Sequence, residues 1–168
     1  SDVYKRQLLN IKQTLERYVE HRHNVVLRRT RFDLAKAEAR AHVLEGLRIA
    51  LDNIDAIIGL IRASANPDEA RSALIGEFVL SEIQANAILA MPLQRLTGLE
   101  REKIEEEYQE LMQAIEHLRA VLESQHMQME ILKEEIGDIR ERFGDERRTE
   151  IVYAAEEFDM EDLITRED

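Results

Sequence analysis

An apolar ladder with heptad spacing runs through residues 104–143 and constrains the fold more than any other feature. Its steps alternate between four and three residues without a slip. Apolar side chains every 3.5 residues form one stripe along a helix, and such a stripe needs a partner helix to cover it. At 1.5 Å per residue this helix is about 60 Å long. The only polar position is Gln125; the others are Ile104, Tyr108, Leu111, Ile115, Leu118, Leu122, Met129, Leu132, Ile136, Ile139 and Phe143.

A second long stretch without proline, residues 8–62, is predicted to supply that partner helix. Its apolar positions follow helical spacing but change register near residue 33, which predicts a bend or a change of neighbour there. If the chain reverses between the two helices, Ile61 lies near Leu99 and Leu44 lies near Leu118. The early positions are Ile11, Leu15, Tyr18, Arg22, Val25, Arg29 and Phe32, and the later ones are Leu34, Ala37, Ala41, Leu44, Leu47, Leu51, Ile54, Ile58 and Ile61.

The stretch between the long helices, residues 63–98, contains both prolines and most of the turn signals. Asn66 before Pro67 is a strong helix start, because asparagine caps a helix and proline suits its first position. Ser81 and Gln84 have the spacing of a capping box, in which two side chains satisfy exposed backbone N–H groups. Short helices are therefore predicted to follow both signals.

Three further signals mark the ends of elements. Thr97 with Glu100 has capping-box spacing and predicts the start of the long returning helix. Gly76 and Gly144 are predicted to end helices, because glycine readily adopts the left-handed backbone conformation found there. The tail beyond Gly144 opens on a short strand-like piece at residues 149–153 and continues as an acidic segment.

Together these elements predict an all-α fold: a long antiparallel coiled-coil hairpin capped by a small helical domain, with a short irregular C-terminal tail. A thin arm with a knob at its tip is typical of proteins that transmit position, so the sequence favours a mechanical role. The predicted segments are an unmatched N-terminal junction (1–7), the two helices of the arm (8–62 and 99–143), the helical cap (63–98) and an acidic linker (144–168).

Composition and charge narrow the function classes. The chain has no cysteine and no apolar run of the roughly 18 residues that a membrane span needs, so we expect a cytoplasmic protein without membrane contact. The net charge of −12 is uneven: residues 1–62 carry 12 Lys/Arg and 8 Asp/Glu, whereas residues 63–168 carry 11 and 27. Only the first segment is suited to approach phosphate groups.

No catalytic constellation is evident. Tyr18 follows an arginine but occupies an apolar position of its helix, which favours packing over nucleophilic chemistry. Two Glu-x-x-His pairs, at residues 20–23 and 123–126, have the spacing used by di-iron helical bundles. The predicted hairpin places residue 126 opposite residue 35, about 18 Å along the arm from His23, which is too far for shared coordination. We therefore predict no catalytic residue and no metal or cofactor site here.

The ordered segments resemble the A subunit of bacterial DNA gyrase, a type IIA topoisomerase. The match extends over residues 11–164 in the family's order and spacing. The run from Arg95 to Glu100 favours gyrase over its paralogue, the topoisomerase IV A subunit. The matching stretches are residues 20–22, 25–26, 28–32, 36–37, 40–47, 50–55, 84–89, 93–100, 142–145 and 147–151.

The resemblance implies a part of a DNA-passing machine. In that family a coiled-coil arm leads from the DNA-cleaving region to a helical exit gate, where two copies of the protein meet and a transported duplex leaves. It implies a homodimer contact at the cap through Ile88, Leu89, Met91, Leu93 and Leu96. The nucleophilic Tyr is expected upstream and a DNA-wrapping domain downstream. ATP and Mg²⁺ would be used through the gyrase B subunit.

The basic group gains meaning from this resemblance. Arg17, His21, Asn24, Arg28 and Arg31 share one helix face, with Arg22 and Arg29 on a neighbouring face. Arg28, Arg29 and Arg31 are predicted to screen or position double-stranded DNA, against the alternatives of packing on upstream domains or a solvated face.

One residue departs from the family pattern. Pro92 stands where the family usually carries another residue, and a proline inside a helix would kink it. The resemblance therefore does not predict the detailed shape of the gate. Two other classes compete with the topoisomerase: a coiled-coil scaffold unrelated to DNA, which shares the heptads, and a helical metal enzyme, which the predicted geometry disfavours.

Overall fold

The computed structural model describes residues 8–151, and within them the all-α prediction is confirmed, because six α-helices and one 3₁₀ turn account for the regular structure and no strand occurs. The described residues fall into two compact units, with the boundary between residues 134 and 135. The elements in order are α1 (Ile11–Asp52), α2 (Ile54–Ala63), α3 (Pro67–Phe78), α4 (Glu82–Leu89), the 3₁₀ turn (Leu93–Leu96), α5 (Gly98–Glu123) and α6 (Gln125–Phe143).

Helix α1 is long and well capped at its start. Asn10 accepts a hydrogen bond from the Gln13 N–H, and the Gln13 side chain accepts one from the Asn10 N–H, which forms a capping box. The helix continues through residue 33, where the apolar register changes, and spans 42 residues, about 63 Å. It ends at Asn53, whose side-chain amide donates to the Ile49 carbonyl at 2.9 Å. The predicted single helix to residue 61 is therefore split into α1 and α2.

Helices α1 and α5 pack antiparallel, as the sequence predicted, but in a different register. Arg40 donates to Glu107 through Nε (2.7 Å) and Nη2 (2.9 Å), and Arg48 donates to Glu105 through the same two nitrogens at 2.6 and 3.2 Å. Leu44 consequently packs in a core with Tyr108 and Leu111 rather than near Leu118. The predicted register was wrong by about two helical turns, because apolar periodicity alone fits any shift by a heptad.

The early apolar positions of α1 were also predicted wrongly. Val26 and Thr30 are buried there, instead of Val25 and Arg29. The Thr30 hydroxyl is satisfied by donating to the Val26 carbonyl at 2.8 Å. Phe32 is 69% exposed. In contrast, the later apolar set is confirmed where α1 meets the cap, since Ala41, Leu44, Leu47 and Leu51 are all buried.

The cap packs around the end of α1. One hydrophobic cluster contains buried residues from each of the helices α1 to α5. The 3₁₀ turn contributes no buried member, but its Leu96 packs against the cluster. Because α2 contacts α3 directly, residues 54–63, assigned to the arm from sequence, lie against the cap. The buried members are Leu44, Leu47, Ala50, Leu51, Ile57, Leu74, Leu80, Ala85, Ile88 and Ile104.

Helix α4 approaches α1 closely at Gly46. A Cβ added at Gly46 would lie 2.7 Å from both Cβ and Cγ of Gln84. Beside this contact the buried Gln84 amide donates to the His42 carbonyl at 2.8 Å, and His42 Nε2 lies 2.7 Å from Ser81 Oγ. The absence of a side chain at residue 46 therefore allows a polar network to fasten α4 to α1.

The predicted helix starts are confirmed more often than the predicted ends. Asn66 accepts from the Glu69 N–H at 2.9 Å, and Ser81 with Gln84 forms the predicted capping box. Thr97 makes no side-chain cap, although α5 begins directly after it.

The two helix ends assigned to glycine differ in outcome: one lies in the predicted place and the other does not, and neither glycine is left-handed. Helix α3 runs past Gly76 to Phe78, and the left-handed residue is Val79, with φ of 53°. Helix α6 does end at Phe143, but no glycine among the described residues has a positive φ, so Gly144 ends it without the left-handed conformation. A β-branched side chain at a positive φ is uncommon, and nothing in the sequence marked Val79 for it.

The described part of the second unit, residues 135–151, comprises the end of α6 and an irregular segment. The Gly144 N–H donates to the Arg140 carbonyl at 2.7 Å, and Arg148 pairs with Asp145 at 2.8 Å. The part of the strand-like piece that falls here, residues 149–151, is not a strand. The rest of that piece, the rest of the acidic tail and the N-terminal junction lie outside the described residues.

Hydrogen bonds, in part from α1, lower the pKa of two carboxylates on α5. The Arg40 guanidinium, through its hydrogen bonds, lowers the pKa of Glu107 below the ordinary value of 4.5, and the same contact raises the pKa of Arg40. The pKa of Glu105 is lowered first by a hydrogen bond from Gln109 and then by Arg48. The Arg48 guanidinium also lies 4.1 Å from the centre of the Tyr108 ring.

We predict that Gly46→Ala destabilises the protein by about 1–3 kcal/mol, because the added methyl group overpacks the α1–α4 contact. The matched control is Gly76→Ala, where an added Cβ meets nothing within 4 Å. This control should stabilise by up to about 1 kcal/mol through helix propensity. Urea unfolding measures both, and equal effects of the two substitutions would contradict the close approach at Gly46.

We predict that Glu107→Gln lowers stability near neutral pH and that this deficit disappears in acid. Since the folded-state pKa of Glu107 is lowered, its contribution is complete above the ordinary value of 4.5 and is lost as pH falls through the lower folded value. The side chain is 38% exposed, so the deficit at about pH 6 should be about 1 kcal/mol or less. Urea midpoints at about pH 6 and about pH 3 measure it. A deficit that persists at the lower pH, or one of equal size in the exposed neighbour variant Glu106→Gln, would argue against this role.

Candidate functional site

An apolar cleft of about 280 Å³ lies on the cap, between α2 and the segment that joins α4 to α5. One wall is formed by the apolar face of α2, and the other by the end of α4 and the 3₁₀ turn. Its lining is aliphatic except for Arg62; the other lining residues are Ile54, Ile57, Ile58, Ile61, Ile88, Leu89, Met91, Leu93 and Leu96.

All five residues predicted to meet a second copy line this cleft, but they differ in exposure. Leu93 is 81% exposed, whereas Leu89, Met91 and Leu96 are half-buried against the cap. Ile88 is only 4% exposed and belongs to the core. Its assignment to a contact surface is therefore corrected, because its side chain is already covered within one protomer.

The sequence prediction missed the α2 side of the cleft. Ile54, Ile58 and Ile61 have the i, i+4, i+7 spacing of one helix face, but that spacing was interpreted as part of the arm. Ile58 is 39% exposed and therefore offers surface beside Leu93. The signal that could have separated α2 from the arm is Asn53, a residue that favours helix ends.

Pro92 does not interrupt a helix. It follows the end of α4, with φ of −67° and ψ of 145°, and its carbonyl accepts from the Arg95 N–H at the start of the 3₁₀ turn. A proline here loses no helical hydrogen bond, because it lies in extended backbone. The concern that Pro92 kinks the cap is thereby removed, and the proline instead sets the direction of the segment that presents Leu93.

The base of this segment carries a compact charge cluster. Lys103 donates to Glu100 at 2.8 Å, and this hydrogen bond is the largest cause of the lowered pKa of the Glu100 carboxyl. The charge of Arg95, 3.9 Å away, lowers this pKa further. Arg101 bonds Asp52 at 3.2 Å and links the start of α5 to the end of α1. Only the Arg95–Glu100 contact joins the 3₁₀ turn to α5, and all of these exposed contacts are individually weak.

A second surface is the predicted basic face near the start of α1. Its members Arg17, His21, Asn24, Arg28 and Arg31 are all exposed, as their shared helical spacing requires. Arg17 pairs with Glu20 at 3.5 Å, so its charge is partly compensated. Arg29 is exposed too and has an interaction partner of its own. Arg28 and Arg31 are thus the members best placed to meet an anionic ligand.

The histidine pairs are placed differently from the prediction. The corrected register brings His23 to α6, where its Nε2 lies 2.6 Å from Gln128 Oε1. His126 lies 3.8 Å from Glu130, within its own helix. The predicted separation of 18 Å was therefore wrong, because it assumed the wrong register of the hairpin. Among residues 8–151, no three His, Asp or Glu side chains gather in a geometry that could hold a metal ion.

Tyr18 is 47% exposed on α1 and lines neither the cleft nor a polar cluster. None of the helices within residues 8–151 combines the length and hydropathy that a bilayer crossing needs.

The fold and its surfaces define a class: an all-α hairpin whose end carries a small helical cap with an aliphatic cleft. A family model that describes the A subunit of DNA gyrase and topoisomerase IV matches residues 1–137, and this match includes residues 1–7, which the sequence analysis left unmatched. The chain belongs to this family, and the resemblance found in the residues is confirmed.

Curated relatives agree with this assignment. The DNA gyrase A subunit of Clostridium acetobutylicum is 52% identical over 161 residues, which cover 96% of this chain and 19% of that protein. The protein of the same name from Halalkalibacterium halodurans is 51% identical, with the same coverage. That of Staphylococcus aureus is 51% identical over 162 residues, or 96% of this chain and 18% of that protein. The chain thus spans about a fifth of the length of these relatives.

Proposed function

We propose that this chain is the arm and exit gate of a DNA gyrase A subunit, and that its parent enzyme passes duplex DNA through a transient double-strand break. The family match over residues 1–137 is the observation that carries this proposal. The hairpin and cap provide the long lever and the small contact surface that such a role needs. A scaffold unrelated to DNA would share the heptads but would not account for the match.

The contact with a second copy is assigned to the rim of the aliphatic cleft. Leu93 is 81% exposed and Ile58 is 39% exposed, and both line this cleft. Large aliphatic side chains that neighbour one another on a surface favour burial against a partner. Below the rim lie the half-buried side chains of Leu89, Met91 and Leu96. Ile88 is buried within the protomer and is not assigned to the contact.

We predict that Leu93→Glu weakens self-association by roughly 30-fold or more, or ~2 kcal/mol, because dimerisation would bury an unpaired carboxylate. Sedimentation equilibrium of the chain at micromolar concentration measures the change. The matched control is Leu15→Glu, which alters a 60% exposed leucine near the start of α1 and should leave association unchanged. A wild-type chain that stays monomeric throughout, or a Leu93→Glu variant that associates normally, would remove the gate assignment from this surface.

The basic face is proposed to position DNA phosphates where α1 leaves the cleavage region. Arg28 and Arg31 are exposed on the segment of the chain with net positive charge, and they share a helix face with His21 and Asn24. Arg29, also predicted to bind DNA, lies on the neighbouring face. Contacts of this type add affinity without reading sequence and weaken as salt rises.

We predict that Arg28→Ala with Arg31→Ala lowers the slope of log affinity against log salt by about 2, as expected when two phosphate contacts are lost. The measurement uses double-stranded DNA and the assembled enzyme that contains this chain. The control pair, Arg71→Ala with Lys103→Ala, removes the same charge from α3 and the start of α5, outside the aliphatic cleft. An unchanged slope, or an equal loss in the control pair, would contradict a local role for Arg28 and Arg31.

The remaining partners belong to the proposed parent enzyme. Gyrase B is proposed to bind through regions outside this chain and to supply the ATP and Mg²⁺ chemistry. The nucleophilic Tyr is likewise assigned to an upstream region. A cytoplasmic location is proposed, since the substrate is the bacterial chromosome. The family model includes topoisomerase IV, and the names of the relatives favour gyrase within it.

A further inference from the structure

Ser124 separates α5 from α6 with one extended residue, at φ −113° and ψ 106°. Neither proline nor glycine occurs in the surrounding residues 119–127, so no local residue forces the break. Interruptions of a helix have identifiable causes, and one of them is a side chain that inserts into the backbone hydrogen-bond ladder. Gln128 is such a side chain.

Gln128 is 5% exposed, and its amide nitrogen donates to the carbonyls of Val121 (2.8 Å) and Leu122 (3.1 Å). In an uninterrupted helix these two carbonyls would accept the backbone N–H groups of Gln125 and His126. Both residues instead form the first turn of α6, where N–H groups lack partners within the helix. The Gln128 side chain thus replaces two backbone donors.

His23 of α1 fixes the orientation of this side chain. Because the Gln128 nitrogen is used by the two carbonyls, its oxygen faces His23 Nε2 at 2.6 Å, and His23 must be the donor. Ser124 Oγ completes the arrangement by accepting from the Met127 N–H at 3.3 Å. The broken conformation is therefore held by specific polar contacts from both sides of the hairpin.

The sequence also encodes the unbroken alternative. The heptad ladder passes through this point by way of Leu122, Gln125 and Met129, as a continuous helix would present it. In the structure Gln125 is exposed, and Val121 and Gln128 are the buried residues instead. The observed arrangement therefore differs from the one that the heptad ladder predicts, and Gln128 makes the contacts that are specific to the observed one.

We propose that residues 121–128 form a two-state joint, which the Gln128 side chain and His23 hold in the broken state and which can close into a continuous helix. Conversion of one extended residue to helix shortens the path by about 2 Å and turns α6 about its axis. Gln128 and His23 are positioning residues, since they act through the backbone of α5. The joint does not depend on the proposed function, and its test requires no DNA.

The test follows amide hydrogen exchange in the full chain by nuclear magnetic resonance. Gln128→Leu retains the buried volume but cannot bond the two carbonyls. Closure should slow exchange of the Gln125 and His126 amides by about tenfold, the effect of one gained hydrogen bond. Exchange at these amides that is unchanged or faster would overturn the proposal, because it would show a structural contact without an alternative state.

His23 provides a second, milder variant that keeps Gln128 intact. His23→Ala should slow the same two amides to a smaller extent, and His23→Gln, which can still donate to the Gln128 oxygen, should restore the wild-type rate. Failure of this rescue would overturn the role of His23 as donor. The matched control is Gln113→Leu, the same change at an exposed position of α5, which should leave both amides unaffected.

A distance measurement gives an independent readout. Because the chain has no cysteine, spin labels can be placed on engineered cysteines at exposed Glu116 and Glu134, on either side of the joint. In the Gln128→Leu background the distance between the labels should change from its wild-type value in the direction of a continuous helix. An unchanged distance would show that α5 and α6 keep the broken geometry without Gln128, against the proposal.

Discussion

The contact between α1 and α4 at Gly46 is the constraint on which the cap depends. An added Cβ would lie 2.7 Å from the Gln84 side chain, so only a residue without a side chain permits this approach. The approach brings Gln84 within reach of the His42 carbonyl and places the start of α4 beside His42. The orientation of α4 in turn determines the position of Pro92, which follows the end of this helix, and hence the position of Leu93. A glycine in mid-helix costs stability, and here the cost secures the position of the cleft.

Features that depend on contacts between residues close in sequence could be predicted, and features that depend on contacts between distant residues could not. The starts of α3 and α4 were predictable, because Asn66 and Ser81 cap their helices through contacts three residues away. The register of the hairpin was not, because Arg40–Glu107 and Arg48–Glu105 are pairs between distant residues that periodicity cannot distinguish. The five cleft residues were brought together as predicted, yet burial of Ile88 and exposure of Leu93 depend on tertiary packing alone.

Buried polar residues, more than apolar ones, select this structure among its alternatives. A heptad stripe buries a similar apolar surface when the partner helix shifts by seven residues. It also buries a similar surface whether the helix is continuous or broken. Gln84 and Gln128 do not tolerate such changes, because each is 5% exposed and bonds specific backbone carbonyls. A buried amide without partners costs more than a lost apolar contact, so misregistered forms are penalised. Each glutamine also contacts a histidine of α1, at His42 and at His23.

The joint and the cap lie at opposite ends of α5, which spans 26 residues, or about 39 Å. Between them α5 is fastened to α1 by Arg119–Glu38, Arg40–Glu107 and Arg48–Glu105, in addition to the apolar core. Each exposed pair is weak, but several pairs along one interface resist sliding together, since any shift would break them all. This part of the hairpin therefore resists a change of register. Closure of the proposed joint would accordingly turn α6 relative to α5, while α5 keeps its register against α1.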